Sequence, residues 1–331
     1  MTPATSNSPV GGLEGKRVVV TGATGFLGSH IVQALVAARA DVIAVAESLG
    51  WRPTVPRLVE DGAVRFVKLE AFWEPAALRS IADALEPAEY LVHLAYVSPP
   101  ASGTLSKAAF ETERNLLGTL RLLNLVSHSV RRVCFASSVM VYGNEPPLPV
   151  SEDDCAEPAT EYATAKLAGE NFMRGYGCES GVGVSILRYS TVYGPMETVA
   201  RAIPNFIRQT LVGGAPVIRG PGDDVRDYVH VSDAVRATLL ALANAEPRHD
   251  TYNVGSGEGR TTKEIAELIA ALAGDDASLV HSPPATTPLS IVCDIARARA
   301  DLGYEPRTVL DEGLLDEIRW FRSQPDLWSS A

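Results

Sequence analysis

A chain of 331 residues, 46% hydrophobic and 21% charged, has the composition of a soluble globular protein with a sizeable core, in one large domain or two. A formal net charge of −11 argues against nucleic acid or an acidic membrane as partner, while leaving room for an anionic small ligand where arginines gather locally. No apolar run approaches the roughly 20 residues of a membrane helix. The four cysteines (Cys134, Cys155, Cys178, Cys293) lack CxxC spacing and suit a reducing cytoplasm, and none of the six histidines stands in a metal-ligand spacing, so no metal is expected.

Residues 1–14 have neither a basic n-region nor an apolar stretch and read as a flexible tail. Lys16–Thr21 reads as a strand buried on both faces, because Val18, Val19 and Val20 are β-branched and apolar. Gly22, Gly25 and Gly28 follow at three-residue spacing and open a helix, Phe26–Ala38, with Ile31, Val32 and Leu35 on its apolar stripe. Strands are expected at Asp41–Val45 and Val64–Leu69, the second after a proline-broken loop around Gly50–Pro56. A helix at Pro75–Leu85, a strand at Tyr90–Leu94, a long helix from about Leu105 to Ser127, and strands at Arg132–Phe135 and Gly183–Leu187 complete the first half. This alternation implies right-handed βαβ units and an α/β fold of the Rossmann type, a doubly wound parallel sheet.

Beyond Thr191 the elements shorten between Pro/Gly turns, with helices expected at Arg201–Leu211, Ser232–Ala243, Thr262–Ala273, Ile295–Leu302 and Glu312–Phe321. Thr261 with Glu264 forms a capping-box pattern. The expected division is a dinucleotide-binding domain of residues 15–190 plus 226–254, and a smaller C-terminal α/β substrate lobe of residues 191–225 plus 255–331.

A glycine turn feeding a helix brings the N–H groups of Gly25, Phe26, Leu27 and Gly28 and the positive end of the helix dipole to one point, which suits a pyrophosphate. A dinucleotide also needs a ribose contact at the end of the second strand. Glu47 can accept from ribose hydroxyls, and its charge would repel a 2′-phosphate, which favours NAD, while Arg52 nearby keeps NADP open. Glu70 could accept from an adenine amino group, and Leu94 and Ala95 would line the nicotinamide–ribose path.

Tyr162 and Lys166, four apart, share one face of a helix. A phenol of ordinary pKa about 10 is a poor base at neutral pH, and a neighbouring ammonium lowers it. Ser137 and Ser138 sit at the C-terminal end of a strand, where open α/β sheets bind ligands and a serine can hydrogen-bond the substrate oxygen that gains or loses a proton.

TGATGFLG (Thr21–Gly28), HLA (His93–Ala95), Asn115 in NLLGTLRLL, ASSVMVYG (Ala136–Gly143), YATAK, LRYSTVYGP (Leu187–Pro195), RDYVHVSD (Arg226–Asp233) and NVGSG (Asn253–Gly257) occur in this order. Together they resemble the extended short-chain dehydrogenase/reductase family, in its nucleotide-sugar epimerase/dehydratase branch, over roughly residues 15–325. The resemblance implies Tyr162 as acid/base, Lys166 as its activator and cofactor anchor, and Ser138 as hydrogen-bonding partner. It implies Asn115 and Tyr189 near the cofactor, and Tyr96, Ser98, Ser138, Met140, Thr191 and Arg226 around a sugar nucleotide, with Arg226 on its pyrophosphate. His230 reads as structural. The resemblance further implies a homodimer whose four-helix bundle uses Leu116, Leu120, Leu123, Leu167, Phe172 and Met173.

The chain departs from that branch in several places. Dehydratases and decarboxylases carry acidic residues where this chain has Val139 and Met140. Tyr96 replaces a small residue, Thr191 an asparagine, and Ala46 the aspartate ending the second strand. No arginine lies between Pro283 and Cys293. The expectation is therefore 4-epimerisation through a transient ketone with NAD. The alternatives are an NAD(P)H-dependent 4-ketoreductase and, as a less favoured reading, a non-catalytic dinucleotide sensor.

Overall fold

The computed structural model describes residues 11–98, 106–126, 129–244, 249–274, 279–284 and 289–327. The chain runs β1 (Arg17–Thr21), α1 (Phe26–Ala37), β2 (Asp41–Ala46), α2 (Thr54–Glu60), β3 (Val64–Lys68), α3 (Pro75–Leu85), β4 (Tyr90–His93), α4 (Lys107–Phe110), a π-helical turn (Glu111–Leu116) and α5 (Leu117–Val126). It continues through β5 (Arg132–Ser138), α6 (Glu161–Ser180), β6 (Gly183–Tyr189), β7 (Thr191–Tyr193), α7 (Ala202–Leu211), β8 (Val217–Arg219), β9 (Val225–His230), α8 (Val231–Ala243) and β10 (His249–Val254). The last elements are β11 (Gly259–Thr261), α9 (Thr262–Ala273), β12 (Val280–Ser282), α10 (Ala296–Leu302) and α11 (Leu310–Arg322).

Seven strands pair in the order β10-β6-β5-β4-β1-β2-β3, every neighbour parallel. Successive residues of a strand face opposite sides. Val18 and Val20 therefore enter one core, shared with Ile31, Val32 and Leu35 of α1 and with α8. Val19 enters the other, with Leu78 and Ile81 of α3, Leu122 of α5 and Met173 of α6. Burying each such aliphatic side chain contributes about 1.5–3 kcal/mol. Strand order reverses at β1, between β2 and β4, and the crevice beyond the strand ends at such a point is where this architecture binds ligands.

A second, smaller body is built on α7, α9 and α11, whose Ile203, Phe206, Ile207, Ile265, Ile269, Leu314, Ile318 and Phe321 form a separate core. The Thr261 capping box is formed: Glu264 N–H donates to Thr261 Oγ1 at 3.1 Å, and Thr261 N–H donates to Glu264 Oε2 at 2.7 Å. Beside this core, β11, β9 and β7 make a three-stranded sheet. Residues 225–230 thus belong to the small sheet, and the return to the large one begins at α8 and ends in β10.

Several expectations change. Residues 1–10 lie outside the described residues, but Gly11–Leu13 forms a 3-10 turn and Leu13 is fully buried, so residues 11–14 are part of the folded body. The loop around Gly50–Pro56 contains α2, because Pro56 falls in its first turn, where a missing N–H costs nothing. β5 reaches Ser138 rather than Phe135, carried by its pairing with β6 up to Tyr189. The helix expected from Leu105 to Ser127, both outside the described residues, changes pitch at Glu111–Leu116.

Candidate active site

The turn after β1 leaves no room for side chains. Gly22 adopts φ +68°, and a Cβ there would stand 3.0 Å from the Leu94 carbonyl carbon and the Ala95 nitrogen. A Cβ on Gly28 would stand 2.1 Å from the Gly22 oxygen, so α1 can approach β1 this closely only with glycine at that position. Gly25 caps α1 without a side-chain hydrogen bond. The N–H groups of Phe26, Leu27 and Gly28 then have no partner within the helix and converge at its positive end. That donor set fits the diphosphate of a dinucleotide. Leu94 and Ala95 run on from β4 beside it, donating through their N–H groups to Thr21 O at 3.2 Å and Thr21 Oγ1 at 3.3 Å.

The other expected cofactor contacts differ in their surroundings. Glu47 is exposed just past β2, and Glu70 is exposed and ion-paired with Lys68. Arg52 donates to Met196 O at 3.1 Å and Thr24 O at 3.4 Å, which ties its guanidinium to backbone rather than leaving it for a 2′-phosphate. The Tyr189 hydroxyl shares a 2.7 Å hydrogen bond with Thr238 of α8, and burial there pushes the phenol well up. Its side chain is part of the core on that side of the sheet.

Ser138 ends β5 and its Oγ accepts from Met140 N–H at 3.2 Å, capping a 3-10 turn, Val139–Tyr142. The start of α6 is fixed by Thr160, whose Oγ1 accepts from Ala163 N–H at 3.2 Å. Tyr162 therefore sits in the first turn of α6, with Lys166 one turn on. Burial pushes the Tyr162 phenol up, while a hydrogen bond with Ser138 and the charge of Arg201 pull it down. Lys166 Nζ donates to Ala136 O at 2.8 Å and lies 5.9 Å from the centre of the Tyr162 ring. Burial pushes this ammonium down to about 8, against the opposing charges of Glu111 and Glu170.

Ala95, Tyr96, Asn115, Tyr162 and Lys166 line one small cavity together with Glu111 and Phe135. Asn115 lies in the wall of this cavity. Its amide is clamped to Val97, accepting from Val97 N–H at 2.8 Å and donating to Val97 O at 3.0 Å. Ser98 follows, exposed. Behind α6, Glu170 is wholly buried and takes Arg188 at 2.9 and 2.7 Å and Arg174 at 2.9 Å. Ser137 donates to the same carboxylate at 2.5 Å.

Thr191 and Arg226 lie in the small sheet and are not part of that cavity's wall. Arg226 Nε donates to Asp224 at 3.1 Å, a surface ion pair that occupies the guanidinium expected on a pyrophosphate. The rest of RDYVHVSD is architectural. Asp227 accepts from Ser256 N–H at 2.7 Å, Gly257 N–H at 3.0 Å and Cys293 N–H at 3.2 Å, which folds the NVGSG loop. Asp233 accepts from Arg307 N–H and Thr308 N–H, both at 2.9 Å. His230 shares a 2.8 Å hydrogen bond with Ser232 at the start of α8. His93 is buried between Thr21 and Thr119 at 2.7 and 2.8 Å, and burial pushes it down to about 3. Among the described residues no cluster of three His, Cys, Asp or Glu side chains could hold a metal ion.

Residues 18–255 match the model of the NAD dependent epimerase/dehydratase family. The chain belongs to that family. A UDP-glucose 4-epimerase of Mycolicibacterium smegmatis is 32% identical over 315 residues, 93% of this chain and 99% of the relative. The crystal structure of the Thermotoga maritima UDP-glucose 4-epimerase with UDP-glucose has a TM-score of 0.84 at 30% identity, covering 93% of this chain and 99% of that one. DesIV, a dTDP-glucose 4,6-dehydratase of Streptomyces venezuelae solved with NAD bound, has a TM-score of 0.84 at 28% identity, covering 95% and 99%.

Within this epimerase/dehydratase family member, two site residues escape a reading of the sequence. Glu111 stands four residues before Asn115 and is 2% exposed; its helical spacing to Asn115 was the available signal. Arg201 reaches Tyr162 by charge from the start of α7, and no local pattern marks it.

Proposed function

We propose that this chain catalyses the NAD-dependent 4-epimerisation of a nucleoside-diphosphate sugar. The observation that carries the reading is the Ser138–Tyr162–Lys166 cluster at the end of β5, with Val139 and Met140 beside it offering no group that could move a proton. When bound, NAD supplies a reversible hydride sink at C4, which lets that stereocentre pass through a planar ketone. The glycine turn and the first-turn amides of α1 would hold its diphosphate, with Glu47 at a ribose.

The residues of this chain supply the proton handling. Tyr162 takes the C4 hydroxyl proton as phenolate and returns it after the ketosugar has turned. In the free protein burial works against that phenolate, while the Ser138 hydrogen bond and Arg201 favour it; the Lys166 ammonium, 5.9 Å from the ring centre, would add to them. Ser138 hydrogen-bonds the C4 oxygen through the transfer. The site has to exclude water, because a ketosugar lost from it ends the cycle. Thr191, Met140, Ser98 and Tyr96 contribute to the sugar side. Arg226, once released from Asp224, would meet the pyrophosphate with a charge-assisted fork.

We also infer a homodimer through α5 and α6, supported by Leu117 and Phe172, which stand 37% and 50% exposed on those helices. Leu123 and Met173 drop out of that interface, being 3% and 0% exposed in the chain's own core. No helix among the described residues is long and apolar enough to cross a membrane, and a cytoplasmic location accords with four free cysteines.

The test is incubation with UDP-, dTDP- and GDP-hexoses, without added cofactor, following C4 configuration by NMR. Epimerisation with no added reductant supports the proposal. No epimerisation of the hexoses, with reduction of a nucleoside-diphosphate 4-keto sugar to the 4-hydroxy sugar when NADPH is added, would establish the ketoreductase instead.

A further inference from the structure

The cavity beside Tyr162 holds a carboxylate that the acid/base reading leaves without a task. Glu111 opens the π-helical turn and is buried. Both of its oxygens are taken by uncharged donors. Tyr96 Oη donates to Oε1 at 2.5 Å, and Asn115 Nδ2 donates to Oε2 at 2.7 Å. Asn115 simultaneously clamps Val97, so the segment carrying Tyr96 is tied to the π turn through backbone and side chain together.

Tyr96 is the link to the chemistry. Its ring centre is 5.1 Å from that of Tyr162 at an interplanar angle of 87°, an edge-to-face contact. The Lys166 ammonium stands 5.5 Å from the same ring centre and 5.2 Å from that of Phe135. Glu111 thus anchors, through the Tyr96 hydroxyl, a ring that touches Tyr162 and faces Lys166.

Glu111 also matters by charge. Lys166 faces two carboxylates, Glu111 from the π turn and Glu170 from α6; Tyr162, Tyr96 and the buried His93 complete the titratable groups around it. Glu170 is already matched by Arg188 and Arg174. Among the described residues no arginine pairs with the Glu111 carboxylate, and Lys166 is the ammonium that lines the cavity with it. Holding an anion there when a neutral amide could make the same two contacts is costly, so the charge itself calls for a role.

We propose that Glu111 is a positioning residue for proton transfer at Tyr162: it fixes the Tyr96 wall of the Tyr162/Lys166 pair and sets a carboxylate in the same cavity as the Lys166 side chain. The proposal rests on the roles given to Tyr162 and Lys166 above. Burial alone depresses this ammonium, and the Glu111 charge opposes that depression.

Glu111→Gln preserves size and both contacts, because its amide oxygen can accept from Asn115 and its NH₂ can donate to the Tyr96 oxygen. In cofactor-loaded protein with ¹³C-labelled lysine, the Lys166 signal (assigned by its loss in Lys166→Arg) is titrated by NMR. The Lys166 midpoint is expected to fall by about one pH unit in Glu111→Gln, and to stay at the parent value in Glu111→Asp, which keeps the charge. The basic limb of the kcat profile should move down with it. Tyr96→Phe leaves Glu111 in place and is expected to lower kcat roughly tenfold with KM little changed, as loss of positioning does. A Lys166 midpoint unmoved in Glu111→Gln, or parent-like kcat in Tyr96→Phe, overturns the proposal. Failure of the underlying reading looks different: Tyr162→Phe would then turn over normally, whatever the Lys166 midpoint does in Glu111→Gln.

Discussion

Replacing Lys166 by methionine should inactivate the protein and make its fold more stable. The side chain is largely buried in a cavity walled by Tyr96, Phe135 and Tyr162, and burial holds its ammonium at about 8 against an ordinary 10.5. That difference corresponds to about 3 kcal/mol of folding free energy lost whenever the lysine is charged. Methionine fills the same stem without the charge, but gives up the 2.8 Å hydrogen bond to Ala136 O, worth about 1 kcal/mol. A net gain of about 1–2 kcal/mol at pH 7 follows. Its pH dependence has a definite sign. Below about 8 the lysine is charged folded and unfolded, so the penalty is whole. Between about 8 and 10.5 the unfolded chain binds the extra proton, wild-type stability rises with pH, and the advantage of methionine shrinks to nothing. Urea unfolding of both proteins, stripped of nucleotide, at pH 7 and pH 10 measures this. A Lys166→Met protein less stable at pH 7, or an advantage that does not shrink by pH 10, would refute the account of Lys166 as a charge held at a cost for function.

Other perturbations separate the scaffold from the site. Gly28→Ala puts a Cβ 2.1 Å from the Gly22 oxygen and should push α1 off β1, weakening NAD binding at least tenfold by calorimetry while the far-ultraviolet circular dichroism stays native. Glu170→Ala strands Arg188, whose side chain is 4% exposed, and should cost about 3–5 kcal/mol in urea unfolding. Phe172→Glu, on the exposed face of α6, should give a monomer by sedimentation with its fold intact.

The large sheet was legible because parallel strands buried on both faces must be near-continuous apolar runs, as Val18–Val20 and Val42–Val45 are. The glycine turn was legible because sterics demand it, and Tyr162 with Lys166 because helical spacing places them together. What the sequence hid depends on long-range contact. β7, β8, β11 and β12 have three residues each, too few for alternation to show, and exist through their partners. The partner of the Tyr189 hydroxyl, Thr238, lies on α8, 49 residues on, where no local pattern points to it. The π turn has no local signature. Its effect is to bring Glu111 to Tyr96, fifteen residues earlier in the chain, through the Asn115 clamp. Leu13 looked like tail because one apolar residue among polar neighbours has no period to reveal it, yet it is fully buried in the core formed with α1 and α8.

The central claim is that the hydride leaves C4 and comes back to C4. It is tested most directly with the nucleotide hexose of the panel that turns over, carrying deuterium at C4, incubated without added cofactor and read by NMR of the product. The expected product is the C4 epimer with the deuterium still on C4, and no product from Tyr162→Phe beyond roughly 10⁻²–10⁻⁴ of the parent rate. Deuterium appearing at C6 with loss of water, or washed out into solvent, would contradict it.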